Sequence, residues 1–242
     1  MFPLPILPVA NVPSDLNSTD PRAALRHVNT LMKNDLIRAL NAIQSNGAHT
    51  LPGQPNFPAF LDYAARVCGV LELHLEGDQE FFTTKDPRVG GRSLFEVLGY
   101  TDTGYMPTAI AGVHALKEKI EGWKLNPASY SPAVLTHEMA FAGPMVDGMR
   151  QHVAAIKEDV LLEATSKEAL VEMVEENLKW FTGQYTAEFL LPFVVAHHDL
   201  ATTDAWPPIP AEAKEALPEL VKEHADLWQF APFHPLTGAK RG

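Results

Sequence analysis

Residues 60–82 read FLDYAARVCGVLELHLEGDQEFF, and this stretch decides the fold. Phe60, Tyr63, Val67, Val70, Leu71, His74, Asp78 and Phe81 recur at steps of one, three and four residues. In a helix of 3.6 residues per turn that spacing stacks them along one face. Apolar residues hold the first five places, whereas His74 and Asp78 are polar where the period calls for core. A helix is therefore predicted here, with chemistry in its C-terminal half.

Working outward, similar stripes flank it. Asp20-Pro21 pairs a cap residue with proline at the first helical position. Leu25, Val28, Met32, Leu36, Ile37, Leu40 and Ile43 then keep a helical period up to Gly47. Gly47 to Pro58 holds three prolines and two glycines and reads as a loop. Lys85 to Tyr105 reads as glycine-bearing loop with a short turn around Leu94 to Leu98. Pro107 opens a third helix through Ile110, Val113, His114, Leu116, Ile120 and Trp123. A fourth follows Pro144, with Met145, Met149, His152, Val153, Ile156 and Val160 inward. A fifth spans about Ser166 to Val195, acidic on its outer face. No strand pattern and no internal repeat is found. Helices of this length joined by modest loops predict an all-α antiparallel bundle. The expected organisation is an extended arm over 1–19, a bundle over 20–198 and a proline- and aromatic-rich tail over 199–242. Within the tail, DAWPPIP (Asp204 to Pro210) is not helical.

Composition limits the function classes. The chain has 242 residues and a net charge of −11, and 46% of it is hydrophobic, enough for a sizeable globular core. The acidic balance argues against nucleic acid and anionic membrane surfaces as partners. A lone cysteine, Cys68, leaves no disulfide and no cysteine-based zinc cage, and is expected to pack as a small hydrophobe. No uninterrupted apolar run is long enough to span a membrane. Met1 to Val12 is apolar but lacks a basic start and carries Pro3, Pro5 and Pro8, so a cytoplasmic setting is expected.

The inward polar residues are His74 and Asp78, His114 on the third helix and His152 on the fourth. Burying them unpaired costs a few kcal/mol each, on the order of 2–7 for a polar group, so they must satisfy one another, a metal or a ligand. His74 and Asp78, four apart, suit two ligands of one ion or an aspartate-oriented imidazole. His197-His198-Asp199 is expected to cap the fifth helix, His137-Glu138 to lie in a surface loop, and Glu72 and Glu76 to face solvent.

With these residues in view, the chain resembles the hemerythrin-like (HHE cation-binding) proteins, in particular their fungal branch. KNDLIRALNAI (Lys33 to Ile43) is similar to the first-helix segment that begins His-Asn in that family. HLEGDQEFF (His74 to Phe82) resembles its His-x-x-x-Glu motif leading into a Phe-Phe pair. FVVAHHDLATTDAWPPIP (Phe193 to Pro210) and WQFAP (Trp228 to Pro232) resemble the branch's tail. The resemblance implies a four-helix bundle holding two irons. Carried over position by position, His74, Asp78, His114 and His152 match ligands. Lys33 stands where the first-helix histidine would be, Ile110 where another histidine would be, and Ile156 and Lys157 where a carboxylate falls. A full di-iron centre is therefore not expected.

Two kinds of site remain open. In one, His74, Asp78, His114 and His152 hold a single iron, manganese or zinc ion. In the other, Lys33 pairs with Asp78 and the histidines move protons. The expected function is conversion of an apolar, oxygenated small molecule by acid–base or single-metal chemistry, with secondary metabolism as the setting the resemblance suggests. The alternatives are a hemerythrin-type iron or oxygen binder and a non-catalytic structural relic.

Overall fold

A computed structural model describes residues 2–9, 11–102, 104–184 and 187–241. The described chain is all-helical. It has no strand, only isolated bridges between Asp86 and Arg92 and between Phe233 and Lys240. The helices are α1 (Pro21–Gly47), α2 (Phe57–Thr83), α3 (Leu94–Leu98), α4 (Tyr105–Leu125), α5 (Pro132–Glu138), α6 (Ala142–Ala155), α7 (Glu158–Ala164), α8 (Lys167–Gln184), α9 (Ala187–His197) and α10 (Ala211–Glu223). No described helix is long and apolar enough to cross a membrane.

Local signals explain the ends. The Asp20 carboxylate accepts from the Arg22 amide and Pro21 supplies the first turn, so α1 starts where its sequence says. It stops at Gly47, whose Cα lies so close to Leu135 that a Cβ would come within 2.2 Å of Leu135 Cδ2. The short α3 is fixed by a capping box between Ser93 and Glu96, and ends in Gly99 at φ 67°.

The principal contacts form a closed ring. α2 packs on α1 and α4, and α6 packs on α1 and α4 in turn. Leu36, Ile37, Leu40 and Ile43 from α1, Val67, Val70 and Leu71 from α2, Val113, Leu116 and Ile120 from α4, and Met145 and Met149 from α6 fill one shared core. α1 is enclosed further, also touching α5, α7, α8 and α9. The N-terminal segment lies along it. Asn34 Nδ2 donates to the Leu7 carbonyl (3.0 Å) while its Oδ1 accepts from the Leu7 amide (2.7 Å). Asn41, two turns later, does the same for Leu4. Leu4 and Leu7 are buried beneath this clamp.

Several boundaries differ from expectation. The fourth helix begins at Ala142, earlier than Pro144, and stops at Ala155. Ile156 takes extended backbone (ψ 106°), so Val160 belongs to the separate α7. His137 and Glu138 lie on α5 and not in a loop. The fifth helix is described as α8 and α9, and its expected continuity across 185–186 falls outside the described residues. The tail contains α10, which has Pro218 inside it. It also packs into the core: Phe230 meets Phe60 and Tyr63, and Trp228 stacks on Phe189. The Phe230 contacts lie on the N-terminal half of α2, about 22–27 Å along the axis from Asp78.

Candidate functional site

Four of the five residues singled out from sequence meet inside the ring. Lys33 from α1, His74 and Asp78 from α2 and His152 from α6 are all buried, Lys33 and His152 completely. Lys33 Nζ donates to Asp78 Oδ2, to Asn29 Oδ1 (3.0 Å) and toward His74 Nε2 (3.3 Å). His74 Nε2 also lies 3.3 Å from Asp78 Oδ2, and His152 Nδ1 lies 3.7 Å from the same oxygen. One carboxylate oxygen thus faces an ammonium and two imidazoles. Burial alone would raise the Asp78 pKa, but His74 and Lys33 outweigh it and hold the carboxyl well below the usual range. Burial pulls Lys33 and both histidines below their ordinary values, His152 furthest, with the Lys33 charge adding to its shift.

His114 is the correction. It is half exposed, donating from Nε2 to Glu72 on the outer surface of α2, where Lys117 also bonds that carboxylate. His114 lies one turn after Ile110, which is only partly buried, on the flank of α4 and about 100° from the inward Val113. Glu72 is half-buried by these partners, while Glu76 is exposed as expected. Glu72, Glu76 and His114 could bring ligand atoms within 4.8 Å of one another, but only as an exposed surface group.

Sequence reasoning missed the aromatic surroundings of His152. Tyr105 OH bonds its Nδ1 at 3.0 Å. Phe82 and Phe95 stand edge-to-face to its ring at 4.3 and 4.8 Å, and Tyr100 stacks over it at 5.9 Å. His152 Nε2 and Tyr100 OH are buried without a hydrogen-bond partner among the described residues. Gly148, one turn before His152, makes room for this: a Cβ there would lie 2.3 Å from Tyr105 Cγ. The Ser93-x-x-Glu96 capping box was the legible signal that residues around Phe95 are ordered.

The resemblance implies a metal between these residues, and their chemistry does not fit one. The Lys33 ammonium already takes Asp78 and faces His74, so a cation placed there would meet a positive charge at contact distance. Three implied ligand positions carry no donor for a metal in this arrangement: Ile110 and Ile156 are aliphatic, and His114 is outside.

A second buried group was expected to be a helix cap and is not. His197 Nδ1 donates to the Phe193 carbonyl (2.7 Å), so Nε2 accepts from Tyr63 OH (2.8 Å) in a neutral imidazole. Burial lowers its pKa to about 4. His198 is also buried, with Nδ1 3.6 Å from Asp35 and Nε2 donating to the Thr203 carbonyl. Asp35 in turn accepts from Trp206 Nε1, tying the tail to α1. The linkage has a definite sign. Below about pH 6.5 the unfolded chain binds a proton at His197 that the folded chain refuses, so stability falls with pH, by about 2 kcal/mol at pH 5 from this residue alone. Asp35, raised by burial, works in the opposite sense. Urea unfolding at pH 7.5 and pH 5.0 of the wild type and of His197→Gln isolates this residue: the wild type should lose about 2 kcal/mol more than the variant, and equal losses would refute the neutral-His197 assignment.

Two open grooves lie elsewhere. One of about 520 Å³ includes Asp62, Arg66, Lys117 and Leu227, and one of about 250 Å³ includes Phe81, Arg88, Met173 and Trp180. Neither is lined by Lys33, His74, Asp78 or His152.

No family model, no curated protein and no solved structure matches this chain.

Proposed function

We propose that the chain is a hemerythrin-like four-helix bundle whose ancestral cation position is filled by Lys33, and that it converts a small oxygenated molecule by metal-independent acid–base chemistry. The ring of contacts α1–α2–α4–α6 supports the architecture. One observation carries the chemistry. His152 presents a bare Nε2 inside an apolar cage while its Nδ1 side faces Tyr105 OH and the Asp78 carboxylate. With the proton on Nδ1, Nε2 is a lone pair able to accept a substrate proton. The ionised Asp78 then balances the imidazolium that forms. Lys33 keeps Asp78 charged, and Tyr105 orients the ring. Such a set suits dehydration, isomerisation or cyclisation, which move protons without net redox change. Clusters of buried, mutually perturbing titratable groups favour functional sites over decayed ones.

The test has two parts. Protein purified without chelator or metal-affinity tag, then incubated anaerobically with ferrous iron, should carry no stoichiometric iron, manganese or zinc. Imidazole ¹⁵N spectra should show His152 neutral and protonated on Nδ1. Two irons per chain would restore an oxygen-binding reading. A proton on Nε2, directed at the Phe rings, would make His152 a packed core residue and the cluster a relic.

A further inference from the structure

Interiors leave few polar atoms unpaired, and each exception calls for a cause. Among the described residues four buried side-chain atoms are unpaired, and two of them, His152 Nε2 and Tyr100 OH, belong to adjacent stacked rings. The others, on Gln44 and His198, are scattered. Phe82 and Phe95 stand against His152, and Phe95 also lies 4.6 Å from Tyr100, so both unpaired atoms sit among aromatic rings. Tyr100 is half-buried, with Thr101 and Asp102 exposed beyond it, so solvent is one ring away from His152.

We infer that this cage binds a small planar ring bearing a hydroxyl, of the phenol or enol class, whose O–H donates to His152 Nε2 and whose oxygen accepts from Tyr100 OH. A hydroxyl is the one simple group that satisfies an acceptor and a donor from the same oxygen. Aromatic walls favour a flat ring by edge-to-face and stacked contact. The inference rests on the function proposed above, because it needs the Nε2 lone pair. It goes further by naming the ligand class and by making Tyr100 a binding residue.

Phenol is the probe, titrated into ¹⁵N-histidine-labelled full-length chain, alongside the Tyr100→Phe variant. The ring of that variant is unchanged, and losing an unpaired buried hydroxyl should raise its melting temperature rather than unfold it. In the wild type, phenol should shift the His152 Nε2 resonance saturably. In Tyr100→Phe the affinity should drop about tenfold. Saturable binding with that loss supports the site. An Nδ1-protonated His152 that phenol leaves unmoved overturns the ligand class and leaves the proposed function standing. A proton on Nε2 overturns both. Equal phenol affinity in the two proteins removes Tyr100 from the site and overturns the two-point recognition.

Discussion

Lys33→Met is expected to lower unfolding stability by about 3–5 kcal/mol, a large share of the roughly 5–15 kcal/mol that holds a domain together. The substitution removes the ammonium that Asp78 Oδ2 accepts from and leaves a carboxylate buried against two imidazoles. Methionine keeps the length of the side chain, so the loss comes from the uncompensated charge and not from a void. The double variant Lys33→Met/Asp78→Asn should recover most of it, since a neutral amide demands no counter-charge. Urea titration of the two single variants and the double one gives the coupling energy directly. A single-variant loss below about 1 kcal/mol would mean that the pair is not desolvated as the structure places it. A smaller substitution, Lys33→Ala, tests the cation argument: without the ammonium, His74, Asp78 and His152 face one another, and divalent-metal uptake by Lys33→Ala should exceed that of the wild type.

Asn34→Ala has the second-largest expected effect, about 2–4 kcal/mol for two backbone groups left buried and unpaired. Asn34 is fully buried and meets both the amide and the carbonyl of Leu7. Asn41→Ala removes the equivalent pair at Leu4 from a less buried place and should lose about half as much. Proteolysis gives an independent reading, because a freed arm becomes cleavable before the bundle unfolds. Equal resistance in both variants and the wild type would show that burial of Leu4 and Leu7 holds the arm without the asparagines.

α2 was the most legible element because its stripe is strict. Phe60 through Asp78 sit on one face, and the structure buries every one of them. His152 was legible for the same reason, between Met149 and Val153. Lys33 lies three, four and seven residues before Leu36, Ile37 and Leu40, a spacing that puts it on their buried face. His114 failed because a residue beside a stripe reads like a member of it: Val113 is buried, and the next residue turns about 100° away toward solvent.

The tail shows the other kind of failure. His197 and His198 end an apolar run, and the sequence offers capping as their role. Only the approach of Tyr63 on α2 and Asp35 on α1 makes them buried partners. The cage around His152 likewise gathers Phe82, Phe95, Tyr100 and Tyr105 from the end of α2, from α3, from the link after it and from the start of α4.

By itself the sequence determined that the chain is helical, where α1 begins, and that His74, Asp78, His152 and Lys33 point into a core. Periodicity records a residue's angle on its own helix, and caps record local backbone demands, so both survive without neighbours. The tertiary structure alone decided that α1 is buried on nearly every side, and that Asn34, Asp35 and Asn41 face partners and not water. It also decided that one oxygen of Asp78 collects an ammonium and two imidazoles. A polar face reads the same in one dimension whether water or a distant segment satisfies it, and only the packed chain distinguishes the two.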